Sequence, residues 1–426
     1  MERRKFIKQT AIGISSMYTL GGLIGTGCNI EKQTRRDQFL TISKVKKPLA
    51  IAMWDFSWLL RHHRYGEFEN WERVISELAE RGYNAIRMDC MPQFVVSTKE
   101  GKIIDEFRSV KKDWKPCIWG NDYTMSFRPR EALLEFLPLC QKYGIKVGLS
   151  SWFAPHNTGR TDIFMEEGGV VRAWTETLEF LKVNDLLDNV IYVDLLNEYP
   201  NNHGYDWLKQ ELNKRSDIDQ FKINNPEAHL PDLKSAKKNA LQIAYHNQFI
   251  NETITTLKSR FPALEFFASY DSGVPFEDID LTPHAALDYH VWFNHHGDLH
   301  KMIQKIADRD QSKNLKKLQV DLYQYFDANR VELIQWIDNR ITKVANKAAE
   351  QSKVCGNTEG WGPICWFDHP ELDWKWTKES AEICIDLVKK HDNYKFICTS
   401  NFTHPQFKGL WDDVAWHRKV TDRIKA

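Results

Sequence analysis

Residues 189–200 read NVIYVDLLNEYP. Ile191, Val193, Leu195 and Leu196 form the short apolar run of a buried strand, which ends in a polar pair, Asn197 and Glu198, while Pro200 forbids continuation. An amide and a carboxylate at the tip of a buried strand need a reason. The flanks point to one. Upstream, VVRAWTETLEFLKVNDLL has the spacing of an amphipathic helix, and downstream a polar excursion from Pro200 to Lys234 leads to a second helix over Ala236 to Leu257.

The same alternation extends in both directions. Strand-like runs occur at LAIAMWDFSWL (Leu49 to Leu59), YNAIRMDCMP, IKVGLSSWF, ALEFFASYD, ALDYHVWFN, KVCGNTEG and YKFICTSNF, with helical segments between most of them. In NWERVISELAERGYN, Trp71, Val74, Ile75 and Leu78 share one helical face and Gly82 is placed to cap the end. Helical sequence also runs from about His300 to Gln351, with a break near Asp327. Eight strands alternating with helices is the count of an α/β fold, a (β/α)8 TIM barrel with long βα-loop insertions in a single domain. The rival, a doubly wound open sheet, lacks its Gly-rich phosphate loop in the first turn. The excursion after the fourth strand is long enough to be a lid or a specificity element.

Composition narrows the function. Lys+Arg and Asp+Glu are equal at 58 each, so no global field draws the 426-residue chain to nucleic acid or an anionic membrane. Sixteen Trp and 14 Tyr supply flat amphipathic rings, which suit stacking on sugars. The expected partner is therefore a carbohydrate, with no nucleic acid. Of the cysteines, Cys90, Cys355, Cys365 and Cys398 lie in apolar runs, and no Cys/His spacing suggests zinc or a disulfide framework.

Residues 1–28 read as a targeting segment. RRKFIK (Arg3 to Lys8) before a weakly apolar run resembles a twin-arginine export signal, and LIGTGC resembles a lipobox with Gly25 in place of the usual Leu, making Cys28 the expected lipid anchor. The domain scheme is then a signal over 1–28, a polar linker over 29–47 and the barrel over 48–426, in a protein exported to the periplasm or held at the outer membrane.

In a barrel of this kind chemistry gathers at the C-terminal strand ends. Arg87 and Asp89 end the second strand and point the same way, Asn197 and Glu198 end the fourth, His290 and Trp292 the sixth, and Asn357 and Glu359 the seventh. Two carboxylates across one pocket are the minimum machinery for cleaving a glycosidic bond. Trp54, Trp152, Trp292, Trp361 and Trp366 are candidate sugar platforms, and Asp55 in the first strand-like run and His156 just past the third are further candidate contacts.

These residues resemble those of the clan A glycoside hydrolases, retaining (β/α)8 enzymes that include cellulase family five. NAIRMD is similar to the clan's strand-two segment, which implies that Arg87 contacts the nucleophile. LLNEYP is similar to its strand-four pair, implying Asn197 as a sugar 2-hydroxyl contact and Glu198 as acid/base. GNTEGWG is similar to its strand-seven segment, implying Glu359 as nucleophile, and YHVWF to its strand-six segment, with Trp292 where a tyrosine is usual. MWDFSWL extends the resemblance to bacterial cellulase-like proteins. The resemblance implies an exported retaining β-glycosidase that needs no cofactor. The missing tyrosine and the TSNF tip of the eighth strand leave an alternative, a catalytically silent carbohydrate-binding barrel. His295, His296, Asp298 and His300 crowd together, but no HExxH arrangement accompanies them, so they are expected as solvated loop histidines and no metal site is expected.

Overall fold

The computed structural model describes residues 40–110, 121, 124–160, 162–166, 168–200, 240–272, 274, 276–307 and 314–426. The segment read as an export signal, with Cys28, and residues 201–234 of the long excursion lie outside the described residues.

Eight parallel strands build the fold: β1 (Leu49–Met53), β2 (Ala85–Asp89), β3 (Lys146–Ser150), β4 (Val190–Asp194), β5 (Phe266–Phe267), β6 (Ala286–Asp288), β7 (Val354–Asn357) and β8 (Tyr394–Cys398). They hydrogen-bond in the order β5-β4-β3-β2-β1-β8-β7-β6. The ring closes between β5 and β6, where Ala285 N donates to Phe266 O (2.9 Å), Tyr270 N to Asp288 O (3.0 Å) and His290 N to Tyr270 O (2.8 Å). No sheet edge is left at that seam. This is a (β/α)8 barrel.

Helices α1 (Trp71–Glu80), α2 (Pro129–Lys142), α3 (Gly169–Val183), α4 (Ala240–Arg260), α5 (Arg330–Glu350), α6 (Lys375–Val388) and α7 (Val414–Lys425) accompany the strands. In α1 the buried face is Trp71, Val74, Ile75 and Leu78, the one the spacing predicts, and the Asn70 side chain caps its start by accepting from Arg73 N at 2.9 Å. Each such aliphatic side chain contributes about 1.5–3 kcal/mol on burial. Gly82 ends α1 at φ 83, and a Cβ there would lie 2.3 Å from the Thr421 hydroxyl of α7. The predicted break in the long helical stretch falls at Asn329, between a helix over Leu315–Ala328 and α5.

Two boundaries differ from the sequence reading. The first strand ends at Met53 rather than Leu59, because Asp55 turns the chain at φ 37 and Ser57–Leu60 coil into a helix. Asp55 and Ser57 alternate there with Trp54, Phe56 and Trp58, a period of two that reads as strand and hides the helix. The compact unit also begins at Thr41, not 48: Ile42 is fully buried, and Glu265 Oε2 accepts from Ser43 N at 2.8 Å. The polar linker therefore ends before these residues.

Alternation along the strands sends Arg87, Asp89, Gly148, Ser150, Tyr192, Asp194, Gly356 and Phe396 inward. Deep inside, the rings of Tyr192, Phe267 and Phe396 fill the barrel, with centroids 4.9–6.0 Å apart. Glycine is required opposite them. A Cβ on Gly148 would sit 2.0 Å from Tyr192 Cζ, and one on Gly356 2.2 Å from Phe396 Cδ2. Gly148→Ala is therefore expected to lower stability by about 1–3 kcal/mol through overpacking. Adding Tyr192→Leu should recover part of that loss, and urea unfolding midpoints of the single and double variants test it.

Candidate active site

Above the aromatic layer the interior turns polar, and Arg87 is its hub. It is fully buried, and its Nη1 lies 2.5 Å from Glu359 Oε1. Its Nη2 donates to Ser150 Oγ at 3.1 Å and to Asn197 Oδ1, and lies 3.6 Å from Asp55 Oδ1 and 3.9 Å from Asp194 Oδ2. A guanidinium out of water requires such partners, since an unpaired buried charge is costly.

Asp194 holds the layer together from β4. Its carboxylate accepts from Ser150 Oγ at 3.0 Å, Ser269 N at 2.9 Å and Ser269 Oγ at 2.8 Å. Ser269 in turn receives the backbone N–H of Glu198 at 3.0 Å, which fixes where the chain goes after β4. Asn197 N donates to Ser151 O at 2.9 Å, and Glu198 follows in the left-handed region at φ 52. A non-glycine residue held there is strained and depends on its surroundings to stay.

Glu359 stands two residues past β7. The loop that carries it is anchored on both sides: Thr358 N donates to Asp288 Oδ1 at 3.0 Å, and Gly360 N to Asn401 Oδ1 at 2.8 Å. The Asn401 amide also donates from Nδ2 to Glu359 Oε2 at 3.0 Å. Both oxygens of Glu359 are thus held, one by Arg87 and one by Asn401.

His290 lies between the two glutamates. Its Nδ1 is 3.0 Å from Glu198 Oε1 and 3.9 Å from Glu359 Oε1, while Nε2 is 3.3 Å from Thr358 Oγ1 and 3.7 Å from Asp288 Oδ2. Burial opposes an imidazolium here, yet the charges of Glu359 and Asp288 and the bond to Glu198 outweigh it, raising the histidine well above its usual range. Glu198 is pushed up to about 7, chiefly by burial, with the His290 bond pulling the other way and the nearby Glu359 charge adding to the rise. Its side chain keeps 20 % of its surface exposed, whereas Glu359 keeps 1 %. Ligating atoms of Glu198, His290 and Glu359 all lie within 4.8 Å of one another. That spacing would also let the three side chains face one metal ion.

The other expected site residues divide. Trp292 (5 % exposed) meets Trp366 edge to face at a centroid distance of 6.0 Å, and half-buried Trp366 also tilts on Phe402. Trp152 presents an edge contact to Phe56. These three indoles stay near the strand ends. Trp54 does not serve as a platform: it is fully buried, packs on Phe68 and on Phe136 of α2, and donates Nε1 to Thr403 O at 3.0 Å. Trp361 is likewise enclosed, its Nε1 donating to Cys398 O at 2.9 Å. Each points into packing because its indole N–H is used by a backbone carbonyl. Asp89 is also structural, accepting from Met91 N at 2.7 Å and Trp152 N at 2.8 Å so that it ties β2 to the segment after β3. His156 packs on Phe56, and burial pushes it down to about 3, so it is a neutral histidine of the core. Asp55 is buried with Oδ1 3.6 Å from Arg87 Nη2; burial raises it well above the usual carboxylate range, against the pull of Arg87. The histidine cluster after β6 is split, with His300 Nδ1 3.1 Å from Asn294 O and Asp298 paired to Lys301.

Among the supporting groups that escape the sequence reading are Asp194, Ser269, Asp288 and Asn401. Asp194 and Asp288 carry a usable signal, each standing an even number of residues from a recognised inward position. Ser269 and Asn401 carry none, being small polar residues just past strand ends.

A family model described as sugar-binding cellulase-like matches residues 51–425. The chain belongs to the cellulase-like family. This cellulase-like chain is also similar to the crystal structure of a candidate glycoside hydrolase from Parabacteroides distasonis, with a TM-score of 0.71 and 25% identity over 90% of this chain and 94% of that one. More distant likenesses include a glycoside hydrolase family 5 mannosidase from Rhizomucor miehei (TM-score 0.47, 11% identity, 91% and 98% covered) and an endo-beta-1,4-mannanase from Thermotoga petrophila (TM-score 0.47, 10% identity, 91% and 78% covered). No curated protein matches the cellulase-like chain.

Proposed function

We propose that this protein is a retaining β-glycosidase acting on oligo- or polysaccharide, with Glu359 as nucleophile and Glu198 as acid/base. The observation that carries the reading is that two carboxyl groups from distant strand ends meet within 4.8 Å, oxygen to oxygen, in different surroundings. A retaining pair stands about 5–5.5 Å apart, whereas an inverting pair leaves roughly 6.5–9.5 Å for a water. The asymmetry supports these roles. Glu359 is clamped by a guanidinium and an amide, as suits an attacking carboxylate, and Glu198 is raised toward neutrality, as suits a proton donor.

In the first step a Glu359 oxygen attacks the anomeric carbon while the glycosidic C–O bond breaks. The departing oxygen takes the electron pair and the proton of Glu198, leaving a glycosyl ester. In the second step Glu198, now ionised, accepts a proton from water as that water attacks the anomeric carbon, and the ester bond breaks to restore Glu359. In this reading Asn197 holds the 2-hydroxyl, and Trp292, Trp366 and Trp152 carry apolar sugar faces. His290 keeps a hydrogen bond on Glu198 through the cycle.

A carbohydrate panel with product stereochemistry followed by NMR tests the proposal: retention at the anomeric carbon is expected, and inversion would end it. The pH profile offers a second check. Glu198 must be protonated to donate, so kcat/KM should fall about tenfold per pH unit above about 7. With an aryl glycoside whose leaving group needs no proton, Glu198→Gln should flatten that limb, and a limb unchanged in the variant would remove Glu198 from the role.

A further inference from the structure

We propose that Asn401 is a positioning residue for the nucleophile, an inference that rests on the retaining reading above. Its side chain has two faces, and both are used on one short segment: Oδ1 accepts the N–H of Gly360 at 2.8 Å, and Nδ2 donates to Oε2 of Glu359 at 3.0 Å. The first bond determines the second. Because an N–H can only donate, Oδ1 must face Gly360, which turns the NH2 group toward Glu359. The amide is fully buried, so water does not compete for either contact.

The consequence for Glu359 is a carboxylate fixed in its plane. Arg87 Nη1 holds Oε1 and Asn401 Nδ2 holds Oε2, and with both ends bound the group cannot rotate about its terminal torsion. Arg87 alone, touching one oxygen, leaves that rotation open. Fixing a reacting group in an attack geometry is worth large rate factors, and a small misplacement costs about 100-fold. Trp292, where a hydroxyl donor is expected from the resemblance, pairs with Trp366 instead, so the donor to Oε2 comes from the segment after β8 rather than from β6.

Asn401→Asp separates this role from simple anchoring. The variant keeps the acceptor for Gly360 N–H and the shape of the side chain, but sets an oxygen against Glu359 Oε2. Two carboxyl groups at hydrogen-bond distance coexist only by sharing a proton. The groups that already face Glu359 are Arg87 from β2, Asp55 after β1, Glu198 after β4, His290 after β6 and the Cys398 thiol at the end of β8, all retained in the variant. Activity of N401D should survive at acid pH and fall along a limb displaced to lower pH than that of the parent. N401A, which loses the donor without adding charge, should lose about 100-fold in kcat at every pH with KM little changed. Circular dichroism of both variants reports folding, and if N401D does not fold, the kcat and KM of N401A decide. A parental pH profile in N401D, or a parental kcat in N401A, would overturn the inference. Glu359→Gln serves as the control that keeps the two proposals apart: if it is inactive while the Asn401 variants behave as the parent, only this inference fails, and if it is fully active, the retaining reading fails first.

Discussion

Glu359→Gln is expected to reduce turnover on the order of 10⁴-fold or more while leaving sugar binding measurable by calorimetry. The amide keeps the size of the carboxylate and can still accept from Arg87 or Asn401 through its one oxygen, so the fold should tolerate it. What it cannot do is form the glycosyl ester. A smaller variant extends the test. In Glu359→Gly a space opens where the nucleophile stood, and added azide can attack the anomeric carbon directly, giving a glycosyl azide of inverted configuration. In Glu198→Ala azide instead completes the second step on an ester already formed, giving a retained product. Opposite stereochemistry from the two rescues would assign each glutamate its role. The same configuration from both, or turnover of Glu359→Gln near that of the parent, would dismantle the assignment.

The second large effect is on stability. Arg87→Met should destabilise the protein by about 3–5 kcal/mol, since it leaves Glu359, Asp55 and Asp194 buried around a hydrophobic stem with no cation among them. Removing one partner of a buried ionic group costs more than the group was worth, because the remaining charges stay out of water. His290, 3.9 Å from Glu359, is already engaged with Glu198 and Asp288. A double variant makes the argument quantitative. Arg87→Met with Glu359→Gln should be less destabilised than the sum of the two, with a coupling of about 0.5–3 kcal/mol in chemical denaturation. Strict additivity would mean that Arg87 holds the fold by its other contacts and does not depend on the nucleophile position.

How far the sequence went can be judged from particular residues. The α1 face, the cap at Gly82 and the strand cores of β2, β3 and β4 were legible because burial writes a period of 3.6 or 2 into the chain. The site glutamates were legible because each follows a buried strand and breaks its apolar pattern. Where pattern misleads the reading fails, as at Trp54 to Leu59, whose strand-like alternation of Asp55 and Ser57 with aromatic residues hides a turn at Asp55 and a short helix. Tryptophans mislead for a related reason. Trp54, Trp361 and Trp366 all lie near strand ends in sequence, yet only the third keeps a half-exposed ring, while the indole N–H groups of the first two donate to backbone carbonyls in the packing. Long-range polar contacts such as Asn401 to Glu359, 42 residues apart, leave no periodic trace at all.

The left-handed backbone at Glu198 carries a consequence for anyone who would harden this protein by selection. A glutamate at φ 52 is kept where glycine or asparagine would rest more easily. Libraries screened only for endurance on heating would enrich those replacements at position 198 and return molecules that outlast the parent and have lost its proton donor. Durability and chemistry pull against each other at that one residue, so such a screen must read turnover in the same well.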